Sequence, residues 1–300
     1  MYFAVPCFFM ISGATLLDYR ERFSTRQFFI KRINKTLIPF LFWSIIGVFY
    51  RFAVRDWSWD QYSVKGILLR ILNTNVVDIY WFFPALFGLY LSIPILAAVP
   101  KEYKERVYMY FTVCAFVLNS VASFLTSVFA IDYHNGFSFT IGAGYLQYLT
   151  LGWLIDHKAP GRNMRCVVYL LGVGGLVAHI VGTAYLSSRA GEISMTYKGY
   201  TNVPCVLYSA AVFLVVKTIV NASTSCGIWP KVLACCTRMS GYTFGVYLIH
   251  WFVLDITLRY AGIDNRSIMY RVGPPLFDFS CFSYSDLGIR KIPFGKRIIP

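Results

Sequence analysis

Apolar positions along the chain gather into runs too long to be the buried face of a soluble helix. They fall at about Tyr2–Leu17, Thr36–Val54, Ile79–Val99, Tyr108–Ala130, Phe137–Ile155, Cys166–Leu186, Asn202–Val220 and Gly241–Tyr260. A bilayer core needs roughly 20 apolar residues per helix, and backbone groups in hydrocarbon must be satisfied within the segment. The runs therefore predict transmembrane helices. A ninth candidate, Gly273–Ile289, is interrupted by polar residues. The links are mostly short, and no tandem repeat, low-complexity tract or Gly/Ser linker divides them. The pattern predicts an all-α, polytopic helix bundle of about nine spans, one integral-membrane domain over residues 1–300.

Composition excludes most alternatives. The chain is 57% hydrophobic and only 14% charged, with a mean hydropathy of +0.56. A soluble domain carries about 25% charged residues, so a soluble enzyme, a secreted disulfide scaffold, a coiled coil and a disordered chain are all ruled out. A net charge of +14 would suggest nucleic acid in a soluble protein, but here its meaning is positional. The first loop holds Arg20, Arg22, Arg26, Lys31, Arg32 and Lys35. With the third, fifth and seventh loops and the C-terminal tail, that side carries 19 Lys and Arg against 9 in the alternate loops. Cytoplasmic loops are the basic ones, which predicts a multi-pass protein of the cell membrane with Met1 outside and a cytoplasmic C-terminus. The first run has no basic segment before it and contains Pro6, so it does not read as a signal peptide. The expectation is that one helix upstream of Met1 is missing.

Three stretches resemble the acyltransferase family 3 membrane proteins, which include O-acetyltransferases of surface polysaccharides. Val5-Pro-Cys-Phe-Phe-Met-Ile-Ser-Gly-Ala14 is similar to the family's second helix. Phe28-Phe-Ile-Lys-Arg-Ile-Asn-Lys-Thr-Leu-Ile-Pro-Phe40, followed by Phe42-Trp-Ser44, resembles its basic block. Ser240-Gly-Tyr-Thr-Phe-Gly-Val-Tyr-Leu-Ile-His250 resembles a late helix. Tyr80-Trp-Phe82 and the ending from Arg290 to Pro300 fit as well. The family plan has about ten helices with both termini inside, so nine spans starting outside is that plan minus its first helix. The histidine expected as the catalytic base belongs to that first helix and has no counterpart in this chain.

The resemblance implies an O-acyltransferase: a cytoplasmic acyl-CoA, most often acetyl-CoA, gives its acyl group to a hydroxyl of a cell-surface or lipid-linked glycan, with no metal. Such a transfer needs a base for the hydroxyl proton and cations for the donor's phosphates. Lys31, Arg32 and Lys35 are the candidates for the phosphates, Lys31 and Lys35 sharing one helical face at i and i+4. Where the family shows two arginines this chain has Arg32 and Lys35, and lysine lacks the planar fork. The same three residues also suit ordinary anchors to anionic headgroups. His250, with Tyr247 one turn before it, either orients substrate and relays a proton or is a neutral histidine bonded to a neighbouring helix. His179 is a lesser candidate, and His134 and His157 fall in loops as solvated residues.

The remaining residues read structurally. Ser12-Gly13 is a close-packing device before it is a nucleophile, because no G-x-S-x-G elbow surrounds it. Gly142, Gly144, Gly152, Gly172, Gly174 and Gly175 suggest packing too. Trp81, Trp153 and Trp251 read as interfacial belt residues. The eight cysteines are scattered without a C-x-x-C pair, as reduced thiols would be. Asp278 and Asp286 each cost roughly 2.5–3.5 kcal/mol near a bilayer centre, so residues 276–287 read as a shifted reading frame between flanks that match. A transporter of a lipid-linked sugar or small solute is the alternative function, and a non-catalytic remnant a third. A transporter would favour paired acids and bases in mid-membrane, whereas the span interiors hold mainly His179 and His250.

Overall fold

A computed structural model describes residues 2–58, 60, 62–129, 144–158, 160–222 and 229–260, together with Ser267 and Gly273. The described residues form helices and no strand. In chain order these are α1 (Ala4–Leu16), α2 (Thr25–Arg32), α3 (Ile38–Ala53), α4 (Val64–Leu72), α5 (Phe82–Leu96), α6 (Lys101–Ala115), α7 (Ala122–Phe129), α8 (Leu146–His157), α9 (Arg162–Val177), α10 (Thr183–Ala190), α11 (Val203–Ala222) and α12 (Trp229–Tyr260).

Several of these are pieces of longer rods. Wide π turns at Ile33–Leu37, Phe116–Val121 and Ala178–Gly182 join α2 to α3, α6 to α7 and α9 to α10. Six of the resulting runs are long and apolar enough to cross a membrane: Thr25–Ala53, Asp78–Leu96, Lys101–Phe129, Arg162–Ala190, Val203–Ala222 and Pro230–Tyr260. Each contains most of an apolar run read from the sequence. The first expected span is the 13-residue α1, and α8 has 12 residues; both are shorter than a bilayer core requires. The expected span at 273–289, apart from Gly273, lies outside the described residues, as do residues 276–287, the basic tail, His134 and Gly142.

Two compact units divide the chain. One comprises residues 1–25 and 88–225, the other residues 26–87 and 226–300.

In the first unit, glycines set the helix spacing. A Cβ at Gly13 of α1 would overlap the carbonyl of Leu149 in α8, and one at Gly152 of α8 would overlap the carbonyl of Met10 in α1. The two backbones therefore touch, as small residues permit in a membrane where helices gain nothing from hiding apolar surface. Ser12 is buried beside this seam in sequence, its hydroxyl donating to the Phe8 carbonyl of its own helix at 3.0 Å. Gly172 and Gly175 bring α9 against Ala211 and the Pro204 carbonyl of α11 in the same way, whereas Gly144 and Gly174 face nothing within 4 Å.

In the second unit the core is aromatic. Phe40 and Val48 of α3, Ile71 of α4, Val76, Val77, Tyr80 and Phe83 around the start of α5, and Leu248 and Phe252 of α12 are all buried together. Tyr80 is 1% exposed, and its hydroxyl escapes an unpaired burial by donating to the Leu248 carbonyl at 2.9 Å. The six described cysteines carry no disulfide.

Candidate functional site

The second unit contains all five residues that the sequence singles out. Lys31 and Lys35 are exposed, and the half-buried Arg32 places its guanidinium carbon 5.8 Å from the centre of the Phe28 ring. Between them the backbone opens into the Ile33–Leu37 turn. Pro39 supplies the reason: it has no N–H for the Lys35 carbonyl four residues back, and its ring crowds that oxygen, so the helix widens where the bond would fall. Thr36 donates its hydroxyl to the Arg32 carbonyl at 2.6 Å. Two exposed ammonium groups one turn apart form a cationic edge that can receive phosphate as point charges.

Tyr247 and His250 lie together on α12, their ring centres 5.7 Å apart. The Tyr247 hydroxyl donates to the Ile79 carbonyl, and its ring sits 5.6 Å from Phe82 and 5.9 Å from Phe83. That hydroxyl ties α12 to the residue just before Tyr80. His250 turns Nδ1 to carbonyls of its own helix, Tyr247 at 2.8 Å and Val246 at 3.3 Å. A ring nitrogen facing carbonyls must donate, so the neutral ring carries its lone pair on Nε2. This is the tautomer that can take a proton at Nε2, and its partners differ from the neighbouring-helix bond anticipated.

α12 lies along α3 from Phe40, which is buried with Leu248, to Tyr50, whose ring is 5.9 Å from Trp251. At that end stands a network that the sequence picture omitted. Tyr50 donates to Asp255 at 2.7 Å, and Arg259 reaches Asp255 at 2.6 Å and Asp56 at 2.7 Å. Arg51 completes the chain, 3.0 Å from Asp56 and 4.6 Å over the Trp251 ring. Burial opposes the charge on Asp56, yet the hydrogen bonds from Arg51 and Arg259 hold its carboxyl below the usual carboxylate value. Span interiors thus hold more than His179 and His250, since Asp255 lies inside α12. An acid four residues before an arginine on a helix was the signal available.

A second cluster occurs in the first unit, around Asp18 at the end of α1. Lys104 of α6, 6% exposed, donates to one carboxylate oxygen and to the Leu17 carbonyl at 3.1 Å. The other oxygen receives the Trp153 indole N–H at 2.6 Å and lies 3.1 Å from His157 Nε2. His157 Nδ1 is 3.1 Å from the Trp153 carbonyl. Desolvation pushes the Asp18 carboxyl up, but the hydrogen bonds from Lys104 and Trp153 and the charges of Lys104 and His157 outweigh it and hold it low. Two expectations are corrected here. His157 is not in a loop, because it is the last residue of α8, though it stays exposed beside Asp18, and Trp153 is buried, with its N–H committed to the same carboxylate. The cluster fastens three helix ends and leaves no acid or base idle.

His179, in the Ala178–Gly182 turn, places Nδ1 2.9 Å from the Tyr197 carbonyl and its ring beside Tyr2 and Tyr208, a packing role. Among the described residues no group of three or more His, Cys, Asp or Glu converges as a metal site would.

Comparison with known proteins adds two findings. The Acyl_transf_3 family model, an acyltransferase domain, matches residues 1–284. A Staphylococcus aureus protein named "Probable poly-beta-1,6-N-acetyl-D-glucosamine export protein" is 22% identical over 286 residues, covering 90% of this chain and 75% of that relative. No solved structure matches the chain.

Proposed function

The chain belongs to the acyltransferase family 3 membrane proteins, and from that premise we propose that it moves an acyl group, acetyl in the simplest case, from a cytoplasmic acyl-CoA to a hydroxyl of a cell-surface or lipid-linked glycan. The match across 284 residues carries this reading. The cell membrane is its site, and the whole chain acts as one integral domain.

The chemistry assigns roles to the residues of the second unit. Lys31, Arg32 and Lys35 hold the donor's phosphates at the basic end of the Thr25–Ala53 helix. His250 accepts the proton of the attacking hydroxyl at Nε2, and Tyr247 fixes its level by its bond to the Ile79 carbonyl. Attack of that oxygen on the thioester carbonyl forms the new ester, expels the CoA thiolate and leaves the proton on the imidazole to be passed on. Proton removal of this kind is worth about 10²–10⁴ in rate. The test is transfer of labelled acetyl from acetyl-CoA to membrane glycan by vesicles containing the full chain. Loss of transfer on His250→Ala at unchanged protein level supports the assignment, and unchanged transfer removes it.

A second reading is export of a glycan, favoured by the name of the Staphylococcus aureus relative. The ion-paired Asp255 and Arg259 of α12 are the kind of intramembrane charge such a path uses. Glycan release across vesicles in the absence of any acetyl donor distinguishes it from acyl transfer.

A further inference from the structure

Within the first unit, one seam between two helices carries a polar cavity at its end and an apolar one along its length. Gly172 and Gly175 hold α9 close to α11, and the side chains flanking this contact, among them Tyr169, Val173 and Leu176 of α9 and Val212, Val215 and Val216 of α11, wall an apolar cavity of about 320 Å³. At the α9 start and α11 end lies a second cavity of about 290 Å³, whose polar lining is Arg165, Lys217, Thr218 and Asn221. Tyr169 of the first cavity and Thr218 of the second meet at 3.3 Å between their hydroxyl oxygens. The two cavities are therefore neighbours along one seam.

Charge separates the two basic residues. Lys217 is already neutralised, 2.8 Å from Asp156 Oδ1 and 3.0 Å from the Ile155 carbonyl. Arg165 is half-buried; its backbone N–H donates to the Gly161 carbonyl at 2.9 Å, and among the described residues its side chain makes no ion pair or hydrogen bond. Its planar fork matches a phosphate.

We infer that this seam binds an anionic bilayer phospholipid, its phosphate on Arg165 and one acyl chain in the Tyr169–Val216 groove. Basic pockets between membrane helices recognise headgroups in this way. The polar cavity sits at the lower bound of volumes that hold small ligands, which suits a single phosphate headgroup and is too small for a diphosphate carrying a sugar. The inference does not depend on acyl transfer.

Native mass spectrometry of the purified full chain tests it, with phosphatidylglycerol, phosphatidylcholine of the same chains, and a polyprenyl monophosphate as probes. Phosphatidylglycerol is retained about tenfold more tightly than phosphatidylcholine, the scale of one charge-assisted contact. Arg165→Gln abolishes that preference while leaving phosphatidylcholine retention unchanged, and Arg165→Lys restores part of it. Equal retention of the two phospholipids by the wild-type protein, which needs no variant to fold, overturns the assignment. So does a preference that survives Arg165→Gln. Displacement of phosphatidylglycerol by equimolar polyprenyl phosphate also overturns it, by making the occupant an isoprenoid carrier.

Discussion

The ring of His157 lies flat on that of Trp153, centres 4.3 Å apart and planes within 13° of parallel, so that one turn of α8 presents two ring nitrogens to the same Asp18 oxygen. With Lys104 on the other oxygen, a single carboxylate joins the ends of α1, α6 and α8.

Breaking that joint leaves a buried charge without its partner, which costs about 3–5 kcal/mol. Asp18→Asn and Lys104→Met are each expected to lower the stability of the detergent-solubilised protein by that order. The double variant is expected to lose less than the sum, because neither charge is then stranded. A double-mutant cycle on unfolding midpoints checks it, and strict additivity would refute the pairing.

The same carboxylate predicts an acid limb. Because the folded value of Asp18 is depressed, its contribution is complete above the unfolded value near 3.9 and disappears as pH falls through the lower folded value. The stability difference between wild type and Asp18→Asn should hold at pH 5 and shrink toward pH 3. Unfolding midpoints at the two pH values measure it; a difference that grows on acidification has the wrong sign.

Glycine substitutions should divide by what each Cβ meets. Gly152→Val drives side-chain atoms into the Met10 carbonyl and should abolish a monodisperse peak in fluorescence size-exclusion chromatography. Gly174→Ala, which faces nothing within 4 Å, should leave that peak intact and gain a fraction of the roughly 1 kcal/mol helix preference of alanine over glycine.

In the acetyl-transfer assay, Tyr247→Phe keeps the ring packing and loses the bond to Ile79, so it should retain more activity than His250→Ala, which is expected to fall by about 10²–10⁴. Replacing both Lys31 and Lys35 with Ala should raise KM for the acyl donor by about tenfold or more with little change in kcat, as loss of charge-assisted phosphate contacts would. An unchanged KM would leave these lysines as headgroup anchors.

The architecture was largely legible, because a bilayer imposes length and apolarity on each span, and the six long helices fall where the apolar runs predicted them. The packing glycines were legible in part: Gly13, Gly152, Gly172 and Gly175 serve contacts, while Gly174 does not, since spacing alone does not say which face meets a neighbour. Lys104, one of the basic residues of the third loop, is buried. Its burial had a signature, for it continues the stripe of Tyr108, Phe111 and Ala115 that faces inward. Its partner Asp18 is 86 residues away in sequence, and no local pattern links them. Asp255 was passed over inside a run judged by its apolar average. The two sets of candidate residues, one on α2 and the turn after it and the other on α12, were named from phrases of sequence, which carry identity but not the contacts that each side chain makes.

Three of the six long helices are 29 residues, and each contains one wide turn. At 1.5 Å per residue such a rod is roughly 43 Å long, well beyond the hydrocarbon thickness it crosses. Each wide turn stores a single residue of slack. Removing one residue from Ala178–Gly182 would let α9 and α10 run on as an unbroken α-helix with the residues beyond it on nearly the same face, because the wide turn spends one extra residue on about the same rotation. A lone deletion there would thus preserve helicity and leave Tyr185 and Arg189 facing as they do, whereas the same deletion within α9 would turn them by roughly 100°, so each wide turn is the one place where its rod can lose a residue without changing what it shows to its neighbours.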